Sequence, residues 1–169
     1  CSFRDPNPCP RPSKTTSLPL RSSAMNFNTK LNNKSARVGV LMGGMSTERK
    51  ISLKSGHAVA EALRSRGWTV VELDVSPDLA QDLRREEIDV AWIALHGAFG
   101  EDGCVQGMLE VMRIPYTGSD VRASALAMDK VSTKRLLQGS RVVLPKDWVW
   151  RQGDPIPECP LPQVVKAPN

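Results

Sequence analysis

The chain has 169 residues, 40% of them hydrophobic and 24% charged, and a formal charge of +5. That length suffices for one core domain and part of a second; no window holds the roughly eighteen uncharged apolar residues of a membrane span, so a cytoplasmic protein with no membrane partner is expected. The whole positive excess lies in residues 1–36, with six basic side chains against one acidic, while residues 37–169 balance at 17 of each, which leaves no basic field for nucleic acid.

Residues 1–24, CSFRDPNPCPRPSKTTSLPLRSSA, are rich in Pro and Ser and contain no apolar segment. Residues 1–36 are therefore expected to form a disordered tail. The frequent Arg and Ser and scarce acids fit an organelle transit peptide. Translated upstream sequence ahead of a natural start at Met25 is the preferred reading, which would make residues 1–24 non-native. Cys1 and Cys9 fall in this tail, far from Cys104 and Cys159, and no metal-ligand or disulfide spacing results. Cys104 is expected as a small buried residue on a helix.

Val38–Met42 is a short apolar run closed by Gly43-Gly44, the pattern of a buried parallel strand. Residues from about Thr47 to Ser65 read as a helix, with Ser52, Gly56, Val59 and Leu63 on one stripe. Gly67 fits the residue just past its end. Trp68–Val75 reads as a second strand, Leu79–Arg85 as a short helix and Ile88–Leu95 as a third strand. After the glycine-dense HGAFGEDG, the spacing of Val105, Met108, Leu109 and Met112 predicts an amphipathic helix with Asp102 as N-cap. IPYTG reads as a short strand, Val121–Met128 and Ser132–Gln138 as helices, and DWVWR and Gln163–Lys166 as strands.

Strands alternating with helices up to Gly118 indicate an α/β fold, an open parallel sheet flanked by helices. A composition shift near residue 120 divides residues 37–120, an α/β domain, from residues 121–169, which hold too little core to be complete. In an open parallel sheet, ligands bind at the carboxyl ends of the strands. Two polar loops fall there: Gly43–Glu48 after the first strand, and His96-Gly97 after the third. The first loop is neither G-x-G-x-x-G nor G-x-x-x-x-G-K-[ST], so no nucleotide fingerprint applies. Glu48 either complements the helix dipole, which spacing alone favours, or receives a cation such as an ammonium group. His96 is either a hydrogen-bonded structural residue or, with room left by Gly97 and Gly100, a ligand contact. Lys130 and Lys166 are either solvated lysines or point charges for phosphate oxygens; Lys166 stands out because it ends the apolar QVVK.

VGVLMGGMSTERKISLKSG, ALHGAFGEDGCVQGMLEVMRIPYTGS and SALAMDKVSTK together span most of residues 38–134. They resemble the amino-terminal part of the D-alanine–D-alanine ligases of the ATP-grasp superfamily. The combination of GG-x-S-x-E-R, LHG-x-x-GEDG-x-x-QG and PYTGS is far more specific than any piece alone. The resemblance implies a Rossmann-like, pre-ATP-grasp, substrate-binding domain over 37–120 and the incomplete start of an ATP-grasp domain over 121–169. It implies that Glu48 serves catalysis by holding the first D-alanine by its ammonium group, that His96 positions the same substrate, and that Lys130 and Lys166 contact ATP. The implied reaction joins two D-alanines through an acyl phosphate, for peptidoglycan synthesis. The implied cofactors are ATP and Mg²⁺ or Mn²⁺, whose ligands lie outside this chain, and the implied full-length enzyme is a homodimer. The family's Gly/Ser-rich loop does not follow VVKAPN, so the chain is expected to be a fragment, inactive alone. A non-catalytic flavodoxin-like binding module and another ATP-grasp carboxylate–amine ligase are the alternatives.

Overall fold

The structure, a computed structural model, describes residues 32, 34–155, 162 and 164–167. The proposed start at Met25, the segment 1–24, Cys159 and Gln163 lie outside the described residues.

The apolar run becomes β1, Arg37–Met42, the middle strand of a three-stranded sheet. β2, Thr69–Asp74, and β3, Val90–Ile93, flank it, and both pair parallel to it. Alternation along β1 sends its side chains to two faces. Val38, Val40 and Met42 form one core with Ala60 and Ala94, and Leu53, Val59 and Leu63 of helix α1, Arg49–Ser65, pack against it. Leu41 joins the other core, with Leu79 and Leu83 of α2, Leu79–Arg85, and Val105 and Leu109 of α3, Cys104–Met112. The sheet therefore lies between helices, as a parallel sheet buried on both faces requires.

Two glycines set the depth of packing. A Cβ on Gly56 would come within 2.5 Å of Met42 Cβ, so α1 can approach β1 only with glycine there. A Cβ on Gly39 would meet Ile88 at 2.9 Å. Gly67, with φ +83°, ends α1 in the left-handed conformation, and its N–H donates to Arg64 O at 2.9 Å. Packing begins before β1: Ala36 is buried, and Lys34 Nζ donates to Arg66 O at 2.8 Å.

Five sequence expectations change. IPYTG contributes an isolated bridge, Tyr116 to Ala91, and no longer strand. The segment DWVWR has no regular structure, and Trp148 is 55% exposed. Val164–Lys166 is likewise irregular, with Val165 96% exposed. The apolar and aromatic content of these stretches suits a pleated surface, but no described strand pairs with them. Cys104 is exposed, because the buried face of α3 is formed by Val105, Gln106 and Leu109. Gly103 takes the cap position of that helix; Asp102, one residue earlier, still accepts the Cys104 N–H at 3.0 Å. That N–H, with a second from Phe99, holds the Asp102 carboxyl below its usual range against the desolvation that pushes it up. Beyond the sheet, α4, Val121–Met128, and α5, Lys130–Leu137, are capped by Asp120 and Asp129.

Candidate functional site

The chain leaves β1 for β2 on one side and returns to β3 on the other, so the strand order reverses between β1 and β3. Loops diverge at such a point and leave a crevice at the carboxyl edge. The last backbone rung between these strands is Ala94 N–H to Leu41 O, at 2.9 Å. Two serine hydroxyls continue the connection beyond it. Ser52 Oγ, fully buried, accepts the Gly43 N–H at 2.9 Å and donates to Ala94 O at 2.7 Å. Ser46 Oγ accepts the Glu48 N–H at 3.2 Å and donates to His96 O at 2.8 Å. Gly43 and Gly44, with φ +75° and +80°, make the tight exit that this arrangement needs.

Glu48 is the N-cap of α1, and its side chain makes no capping hydrogen bond. Its carboxylate instead stands across the crevice: Oε2 lies 3.1 Å from the position a Cβ would take on Gly97. Glu48 O still serves the helix, accepting the N–H groups of Ile51 and Ser52 at 2.9 and 3.0 Å. Glu48 thus keeps its backbone on the helix and turns its charge toward the loop that carries His96. Arg49 and Lys50, its neighbours in sequence, do other work or none at this edge. Arg49 forms a bidentate pair with Asp74 at the end of β2, both contacts at 2.5 Å, and donates to Gly44 O at 3.3 Å. The Arg49 guanidinium holds the Asp74 carboxyl below its usual range, and Asp74 raises Arg49 in turn. This pair braces the glycine turn from the β2 side.

His96 lines an open cleft of about 630 Å³, together with Trp92, Glu101, Gln106, Thr117 and Ser124. Its Nδ1 lies 3.8 Å from Glu101 Oε1, while Glu101 Oε2 accepts the Gly97 N–H at 2.9 Å. His96 Nε2 is buried and has no hydrogen-bond partner. Gln106 Oε1 is in the same condition on the same cleft, its Nε2 donating to Gly100 O at 2.7 Å. A buried polar atom without a partner is costly and asks for one. Two cleft residues, His96 and Gln106, thus each carry a buried polar atom without a partner just behind the cleft wall, close to the Glu101 carboxylate.

The structure brings Glu48 and His96 to one edge. Of these residues only His96 lines the cleft; Glu48, Lys130 and Lys166 do not. Lys130 is exposed at the start of α5, two residues past the cleft-lining Met128. Lys166 is exposed on irregular chain. Sequence reasoning did not single out Ser46, Glu101 or the Arg49–Asp74 pair. Ser46 has backbone partners, which carry no residue signature, whereas Glu101 sits in plain view inside GEDG.

Sheet order and loop placement define an open α/β domain of the class that takes small ligands at the carboxyl ends of its strands. Comparison narrows the class. A family model described as the N-terminus of D-ala D-ala ligase matches residues 75–119. A D-alanine–D-alanine ligase of Desulforudis audaxviator is 54% identical over 139 residues, 79% of this chain and 45% of that protein. One from Geotalea uraniireducens is 53% identical over 137 residues, 79% of this chain and 44% of that protein. The solved D-alanine–D-alanine ligase of Bacillus anthracis complexed with ATP superposes with a TM-score of 0.62 at 34% identity, covering 72% of this chain and 42% of that one. The chain corresponds in sequence and fold to the amino-terminal portion of the D-alanine–D-alanine ligase family, and it spans less than half the length of these relatives.

Proposed function

We propose that this chain is the substrate-binding portion of an ATP-dependent D-alanine–D-alanine ligase serving peptidoglycan synthesis. The observation that carries the proposal is the approach of the Glu48 carboxylate to Gly97, which sets an anion beside the His96 loop. In this reading Glu48 takes the ammonium group of the first D-alanine, and the imidazole of His96 faces the substrate's carboxylate end. Holding both ends fixes the carboxylate for phosphorylation, which removes orientational entropy from the reaction. The γ-phosphoryl group of ATP passes to a carboxylate oxygen and ADP leaves. The amine of the second D-alanine then attacks the carbonyl carbon of the acyl phosphate; the C–O bond to phosphate breaks, the amine loses its proton, and the dipeptide forms.

Support for ATP comes from the relatives: the Bacillus anthracis neighbour is solved with ATP. Lys130 and Lys166 are the proposed phosphate contacts on this chain, as free ammonium point charges. Among the described residues no three His, Cys, Asp or Glu side chains gather as a metal site. The proposal includes residues 37–120 as the D-alanine domain and residues 121–169 as the beginning of the ATP domain. It also carries a homodimeric full-length enzyme and a cytoplasmic location. No helix among the described residues is long and apolar enough to cross a membrane.

The test is a protein in which this chain is continued by the carboxy-terminal remainder of the Desulforudis audaxviator relative. D-alanine-dependent phosphate release from ATP, absent with L-alanine, is expected. Glu48→Gln should raise the KM for the first D-alanine by roughly a hundredfold, in line with loss of a charge-assisted contact, and leave the KM for ATP unchanged. Binding of D-alanine with no ATP turnover would favour a non-catalytic module. Equal weakening toward both substrates would reduce Glu48 to a structural residue.

A further inference from the structure

The two serine hydroxyls at the β1/β3 divergence do the same thing twice. Each accepts a backbone N–H from the β1 side, Gly43 for Ser52 and Glu48 for Ser46. Each donates to a carbonyl on the β3 side, Ala94 for Ser52 and His96 for Ser46. Ala94 and His96 lie two residues apart just past the end of β3, and both carbonyls face the serine hydroxyls. The backbone ladder stops at Leu41 O, and the hydroxyls supply two further rungs beyond it. The inner rung is sealed in the core, since Ser52 is fully buried. The outer rung is half-buried and touches both residues of the proposed substrate cradle, at the Glu48 amide and the His96 carbonyl.

We propose that Ser46 is a positioning residue that sets the separation between the Glu48 carboxylate and the His96 imidazole, with Ser52 as the anchor that holds the base of the same crevice. This rests on the D-alanine reading above. A hydroxyl is required because the rung needs one group that accepts on one side and donates on the other. Alanine can do neither. Threonine preserves both functions, whereas cysteine is a poorer donor and acceptor on a longer bond.

The experiment uses the completed ligase described above, with Ser46→Ala, Ser46→Thr and Ser52→Ala. For Ser46→Ala, a rise of about tenfold in the KM for the first D-alanine is expected, from the loss of one positioning bond, with the KM for ATP unchanged and the Tm within a few degrees of the unaltered protein. Amide hydrogen exchange at Glu48 should accelerate, because Ser46 Oγ is the acceptor of that N–H. Ser46→Thr should restore the KM. Ser52→Ala, which strips two partners in the core, should lower the Tm more than Ser46→Ala. If Ser46→Ala leaves the D-alanine KM untouched in an active enzyme, the positioning role is wrong while the functional reading stands. If it weakens D-alanine and ATP together and lowers the Tm by as much as Ser52→Ala, Ser46 is only a brace for the fold. If the unaltered protein shows no D-alanine-dependent turnover, the functional reading falls first and this inference with it.

Discussion

Residues 37–117 and residues 139–155 both carry large apolar side chains and use them in opposite ways. In the first region Val40, Leu41 and Leu109 are wholly buried between sheet and helices. In the second, Val143 is 94% exposed and Trp148, Val149 and Trp150 are all exposed as well. What separates them is partnership. An apolar side chain contributes only when a second surface closes over it, and the first region supplies that surface from its own helices. Polar bonds do form in the second, such as Trp150 Nε1 to Asp154 O at 2.9 Å and Lys134 Nζ to Pro145 O and Asp147 Oδ1 at 3.0 Å each, but they close no apolar surface over the tryptophans.

The sharpest way to test the contrast is to cut into each region. Leu41→Ala should cost about 2–5 kcal/mol of stability, as large-to-small changes in a closed core do, read as a lower denaturation midpoint. A loss under about 1 kcal/mol would mean that the sheet core is loosely filled. A smaller effect is expected at the brace between β2 and the glycine turn. Arg49 depresses the Asp74 carboxyl below its ordinary range, so the stabilising contribution is fully present above that range and is lost as pH falls through the depressed one. The Tm gap between the natural protein and Asp74→Asn should therefore be open at neutral pH and close in acid; a gap that ignores pH would show that Asp74 acts by hydrogen bonding alone. Both partners are about half exposed, so screening keeps the gap small. The least effect is expected from Trp148→Ala, within about 0.5 kcal/mol. A large one would place Trp148 in a packed core and erase the distinction between the regions.

The same contrast explains what could be read in the sequence. β1, α1, β2 and α2 were legible because burial on a sheet face leaves a period in the residue types, and α2 falls at the predicted Leu79–Arg85. DWVWR and QVVK show an equally strong local preference, and nothing in a linear pattern says whether a partner strand will arrive. Cys104 was misjudged by one position: Val105 beside it faces the core, and a step of one residue turns a helix by about 100°. At the site, Glu48 and His96 were legible as charged or titratable residues at strand exits, but their link was not. It runs through Ser46 to a carbonyl, and every residue type has a carbonyl.

The Tyr116 bridge has a bearing on how the chain behaves in company. Ala91 gives its N–H to Pro115 O at 2.9 Å and takes one from Thr117 at 3.0 Å, while Ile93 N–H reaches Thr117 Oγ1 at 3.1 Å. The outer flank of β3 is thus already occupied, and the occupant begins with a proline, which has no N–H to lend to a newcomer. A stray strand seeking to extend the sheet there would have to peel this segment away first, so that side of the molecule is a poor seed for amyloid-like stacking.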